Sequence, residues 1–311
     1  MTPRSPVDLT EGSIPRILIR LSAPIIFGMM MFTLYLMVDL YFVGRLGPDA
    51  VAAISISGNA FFVILGLSYI LGTGGMALIS QAFGRREQEK AGIIFLQSLI
   101  LTILTGIVIA LVGIAIARPY IRFFGGREQS LVWGVQYFQV FSVSFFFILL
   151  LHVIMSCYRG MGDTRTPMMI NLQSVVLNML LDPILIFGLL GMPKLGVQGA
   201  AIASLISQVY AIAIYIYLIF VKGYPIKIKG SWRLKPTIIK QSLSIGLPSG
   251  LTYFLLSFNM LITYRVIGPF GTQAIASLGI GFRILQAMYM PVIALTLAMA
   301  AMVGQNFGAG R

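Results

Sequence analysis

Eight stretches of the chain stay apolar for about the 20 residues that a membrane-spanning helix needs, and short polar breaks separate them. They lie near 15–43, 50–80, 91–117, 130–157, 167–190, 197–221, 237–267 and 273–303. Strands that span a membrane are shorter and alternate polar with apolar residues, which this pattern does not do. The expected fold is therefore an all-α polytopic membrane protein. Its breaks are unequally charged. Arg4, Arg16, Arg20, Arg85, Arg86, Lys90, Arg159, Arg165 and six basic residues of 222–240 fall on one side. Only Arg45, Arg118, Arg122, Arg127, Lys194 and Arg265 fall on the other. Basic loops stay in the cytoplasm, so the richer side and the N-terminus are expected there, in a multi-pass protein of the cell membrane.

The pattern also repeats. Aligning Pro24 with Pro248, a shift of 224, brings Gly44 onto Gly268, Gly47 onto Gly271, Ala50 onto Ala274 and Ala52 onto Ala276. Farther on, Gln81, Phe83 and Gly84 meet Gln305, Phe307 and Gly308. SQAFGRR and GQNFGAG are thus one signal, used twice. The shift equals six spans, an even number, so both units share one membrane orientation and an axis along the membrane normal, as in parallel-repeat transporters. This divides the chain into a six-span lobe (1–221), a basic cytoplasmic linker carrying Trp232 (222–236), and the first two spans of a second lobe (237–311). Four more spans would complete the repeat, so the sequence reads as a fragment or a truncated product.

Composition agrees with the spans: 58% of the 311 residues are hydrophobic, 10% are charged and the mean hydropathy is +0.93. A net charge of +13 would suggest nucleic acid in a soluble protein. Here the basic residues mark loops and anchors, and no nucleic-acid partner is expected. A single cysteine, Cys157, rules out an internal disulfide and a cysteine-built metal site. No GK[ST] phosphate loop follows the glycines of GTGGMAL, so there is no sign of an ATP-driven engine. No obligate protein partner is evident, and no cofactor is expected beyond a coupling ion.

Of nine acids, only Asp39 and Asp182 lie well inside spans. A carboxylate at mid-depth costs about 2.5–3.5 kcal/mol on insertion scales, so it faces a cavity or a partner. Asp39 precedes Gly44 by five residues and Asp182 precedes Gly188 by six; at 1.5 Å per residue both sit roughly 8–9 Å below the outer ends of spans one and five. Two acids at one depth share a cavity if their helices pack together. Such a pair can exchange a proton or, staying ionised, hold sodium. In NMLLDP, Asn178 stands one turn before Asp182 on the same face and offers a neutral carbonyl oxygen. Tyr35 stands one turn before Asp39. Pro24 and Pro248 bend spans one and seven, either statically or as moving hinges. Arg283, a lone cation in span eight, lines a cleft or holds backbone carbonyls. His152 is either a proton relay or a packing residue.

Taken together, these segments resemble the multidrug and toxic compound extrusion (MATE) transporters. The resemblance runs through LSAPIIFGMM, VDLYFVGRLGPDAVAA, GGMALISQAFGRRE, YRGMGDTRTPM, NMLLDPILIFG, GVQGAAIAS and AAMVGQNFGAG. It is strongest to the prokaryotic branch with one acid in helix one and one in helix five. The resemblance implies twelve helices in two six-helix lobes around a cleft, and export of organic cations driven by inward flow of protons or sodium. It places Asp39 and Asp182 on the first lobe's carboxylates and Asn178 on their polar partner. Were sodium the ion, these three would be its ligands. Ser204 falls where the family often has Thr, and Pro24 on the first-helix proline whose bending has been proposed to release substrate. The chain departs from the family in lacking spans nine to twelve. Span seven also has no acid, with Thr263 at the repeat position of Asp39. Two alternative functions stand beside this one: flipping of lipid-linked molecules by a related fold, and intramembrane aspartyl proteolysis, which needs two acids close enough to share a catalytic water.

Overall fold

A computed structural model describes residues 8–124, 128–226, 232–267 and 272–311. Eight long helices run through these residues, and there are no strands among them. They are α1 (Ile14–Gly44), α2 (Pro48–Gly84), α3 (Gln88–Phe123), α4 (Glu128–Gly160), α5 (Arg165–Phe187), α6 (Val197–Ile216), α7 (Pro236–Ile267) and α8 (Thr272–Gly308). Seven helical segments among the described residues are long and apolar enough to cross a membrane. Several side chains of the 32-residue α7 lie outside the described set, and α7 is not in that count.

The helix ends follow local chemistry. Pro15 and Pro48 open α1 and α2, where a missing N–H costs nothing. Gly188, at φ +76°, closes α5 in the left-handed conformation that glycine adopts freely. Between α4 and α5, Asp163 Oδ1 accepts the N–H groups of Arg165 and Thr166, each at 3.0 Å, and so satisfies two donors of the first turn of α5. Arg159 departs from expectation. It is not in the break between spans but on the last turn of α4, only 7% exposed, where its Nη2 donates to Ser156 at 2.6 Å. The helix runs on to Gly160, whose backbone closely approaches Met76 of α2.

α2 is the central helix, packed most extensively against α4 and α7 and also against α3 and α8. α1 packs on α5 and α8, and α5 packs on α6. At the end of the bundle rich in basic residues, α2 and α8 cross so closely that side chains are excluded. A Cβ on Gly84 would fall on the Gln305 carbonyl, and one on Gly308 would fall on the Gln81 carbonyl. These contacts exchange under the shift of 224, and Ser80 faces Gly304, its own counterpart. The repeat therefore shows in space as well as in sequence. Gly268 and Gly271 of the alignment lie outside the described residues, as do the side chains of Ala274 and Ala276.

The N-terminal segment is tied into this seam. Leu9 is buried among Ile17, Leu21, Ala298, Ala301 and Met302. Its N–H donates to Gln305 Oε1 at 3.1 Å, and Gln305 Nε2 donates to the Gly160 carbonyl at 3.0 Å. Asn306 donates to the Leu9 carbonyl at 3.0 Å. Residues 227–231 of the linker lie outside the described set. On either side the linker is anchored: Tyr224 donates to Asp163 Oδ2 at 2.6 Å, and Gln97 of α3 bonds both the Arg233 carbonyl and the Lys235 N–H. Burial and the Asp163 carboxylate together hold the Tyr224 phenol above its ordinary pKa.

Candidate functional site

Four of the polar residues singled out in the sequence, Tyr35, Asn178, Asp182 and Ser204, meet where α1, α5 and α6 pack. Ser204 of α6 is the junction. Its hydroxyl lies 2.9 Å from the Tyr35 hydroxyl of α1. With the Asn178 amide oriented to satisfy its neighbours, Asn178 Nδ2 donates to Asp182 Oδ2 at 3.1 Å and Asn178 Oδ1 accepts the Ser204 N–H at 3.1 Å. One turn away, Ser174 donates to the Ser207 carbonyl at 2.7 Å and continues the polar seam between α5 and α6. Asn178, Ser204 and Asp182 are all buried, Asp182 completely. The i and i+4 spacing in NMLLDP puts Asn178 beside its carboxylate on one face of α5.

Asp39 differs from Asp182 in having no such holder. It is half-buried, and its Oδ1 is shut away from solvent without a hydrogen-bond partner among the described residues. Asp39 and Asp182 lie on α1 and α5, which pack against each other. A buried acceptor without a donor marks a place for a proton, an ion or a polar ligand. One acid is thus held by a protein hydrogen bond, and the other has a buried carboxylate oxygen with none among the described residues.

Tyr137 was not foreseen. It lies on α4, is 6% exposed and belongs to a buried cluster with Val43 of α1 and Ile186 of α5. Its sequence context, GVQYFQ, holds two glutamines, too little to set it apart from the other tyrosines of the chain. Pro24 is buried in the half of α1 at the basic end and breaks the helical bond ladder there. His152 lies tilted against the Tyr69 ring of α2, with centroids 4.8 Å apart, and borders Gly72. Arg283 lies on α8, and its side chain is outside the described residues.

Long apolar helices in a tandem repeat, with an ionisable cluster buried inside the first unit, define a polytopic membrane protein of the transporter class. The MatE family model matches residues 24–184 and 248–311, and the chain belongs to this family, whose members are transport proteins and not enzymes. It is 27% identical over 278 residues to the probable multidrug resistance protein YoeA of Bacillus subtilis, covering 88% of this chain and 60% of that protein. It is also 27% identical to an FAD transporter of Shewanella oneidensis, covering 97% of this chain and 67% of that one. Among solved structures it resembles an outward-facing multidrug resistance MATE family transporter of the MOP superfamily, with TM-score 0.91 and 28% identity over 99% of this chain and 68% of that one. The chain thus spans less than two thirds of the length of the B. subtilis relative.

Proposed function

We propose that the chain forms the ion-coupling lobe of a secondary antiporter that exports organic cations across the cell membrane. Its N-terminus and basic end lie in the cytoplasm. Protons or sodium ions enter from the opposite side and bind at Asp39, beside Asp182. The observation that carries this reading is the asymmetry of the two acids: Asp182 is held by Asn178, whereas Asp39 Oδ1 has no protein donor. An arriving cation neutralises that oxygen. The energy of the α1–α5–α6 contact then changes, and α1, bent at Pro24, shifts between two packings. Coupling requires that ion and substrate each bind one packing better than the other. The seam of Gly84, Gln305, Gly308 and Gln81 supports a state closed at the basic end, with the acid cluster beyond it.

The names of the relatives point to two substrate classes, drugs and FAD. The two interior acids favour a cation. The test is efflux by the full-length protein in proteoliposomes, with pH and sodium gradients imposed separately. Asp39→Asn and Asp182→Asn are expected to remove ion-driven export of a cationic dye, and FAD is not expected to compete. Full coupled efflux in both variants would sink the proposal. The gradient that drives transport identifies the ion.

A further inference from the structure

A second polar site lies away from the acids, at the basic end. The first turns of α1 and α5 form the walls of a cavity of about 1040 Å³. Three guanidinium groups border it: Arg16 and Arg20, one turn apart on α1, and Arg165, the first residue of α5. No carboxylate among the described residues lines it. The nearest acid in sequence, Asp163, is buried and engaged by Tyr224 and by the backbone of α5. All three arginines are exposed, so solvent screens their mutual repulsion, and an anion set among them is attracted by all three. The floor of the cavity is apolar, formed by Ile19, Met168 and Met169. Charged rim and greasy floor thus occur together where two spanning helices emerge from the bilayer.

We propose that this cavity binds the headgroup of an anionic phospholipid. The phosphodiester bridges Arg16, Arg20 and Arg165, and the start of an acyl chain lies along Ile19 and the two methionines. A free phosphate would gain nothing from that floor, which is why the occupant is a lipid. Ala23 and Pro24 also border the cavity, so a bound lipid clamps the α1 segment below the proline to α5. This site is independent of the acid cluster and of the identity of the coupling ion.

The test is native mass spectrometry of the purified full-length protein, titrated with phosphatidylglycerol, phosphatidylcholine or soluble glycerol phosphate. Phosphatidylglycerol is expected to bind at least tenfold more tightly than phosphatidylcholine, and soluble glycerol phosphate not at all. Each arginine near an anionic surface should contribute about fivefold. Arg16→Gln, Arg20→Gln and Arg165→Gln together should therefore abolish the preference. The milder lysine replacements should keep most of it and guard against misfolding. Arg85→Gln, Lys90→Gln and Lys240→Gln, in the other basic groove, should leave it intact. No preference in the wild type, equal binding of soluble glycerol phosphate, or equal loss in the second groove's variants would each overturn the proposal.

Discussion

The seam between α2 and α8 and the acid cluster between α1 and α5 obey opposite rules. At the seam the two repeats contribute equivalent atoms. Gly84 receives Gln305, Gly308 receives Gln81, and Ser80 meets Gly304. At the cluster the symmetry is abandoned. Asp39 has Oδ1 buried and unpartnered, whereas Thr263, its repeat counterpart, donates to the Asn259 carbonyl of its own helix at 2.8 Å. The same duplicated sequence has kept its geometry where two units must touch and lost it where charge is handled. The seam needs shape, and two copies of one shape fit each other about an axis. An ion site needs only one copy, because a second carboxylate without a partner would cost about 2.5–3.5 kcal/mol of insertion energy for no added contact.

The largest effect is expected at the seam. Gly84→Val or Gly308→Val would drive a side chain into a facing backbone carbonyl, which cannot rotate aside. Overpacking of this kind costs about 3 kcal/mol. Because the contacts are reciprocal, the two variants should lower the melting temperature by similar amounts. Gly28→Ala is the control, since nothing lies within 4 Å of its Cβ position, and it should be neutral or stabilise by up to about 1 kcal/mol. Unequal losses at Gly84 and Gly308 would break the symmetry argued here.

Much of this contrast was legible before any coordinates. Pro24 and Pro248, with the Gln-x-Phe-Gly pair, revealed the repeat, because a tight helix crossing leaves small residues at fixed spacing. Asp39, Asp182 and Asn178 stood out because charge and amide are scarce inside apolar spans. Tyr137 was not legible. Tyrosine is ordinary in such helices, and only the fold packs this one with Val43 of α1 and Ile186 of α5. Arg159 was misplaced for a related reason. A basic residue near a span end reads as loop, yet the close approach of Gly160 to α2 carries it into the protein.

An intermediate effect is expected at the junction that holds the cluster together. Tyr35→Phe removes one hydrogen bond across α1 and α6 and should cost about 1 kcal/mol. Ser204→Ala should cost at least as much, because the same hydroxyl also lies 3.4 Å from the Asn178 side chain. If the two hydroxyls act as one unit, the double variant will lose less than the sum of the single ones, with a coupling of at least about 0.5 kcal/mol. Additive losses, measured by thermal unfolding, would mean that Tyr35 and Ser204 are neighbours without being partners.

The smallest effect should come from Thr263→Val. The lost hydroxyl bonded only to the carbonyl one turn back in α7, and that carbonyl keeps its place in the helical ladder. Stability should change by no more than about 0.5 kcal/mol. Ion-driven efflux should keep its dependence on pH or sodium, unlike that of Asp39→Asn. This near-silent substitution carries weight because it probes the counterpart of the residue proposed to bind the ion. If Thr263→Val altered the ion dependence of transport, the second repeat would be taking part in coupling. The asymmetry between Asp39 and Thr263 would then be one of residue type and not of role.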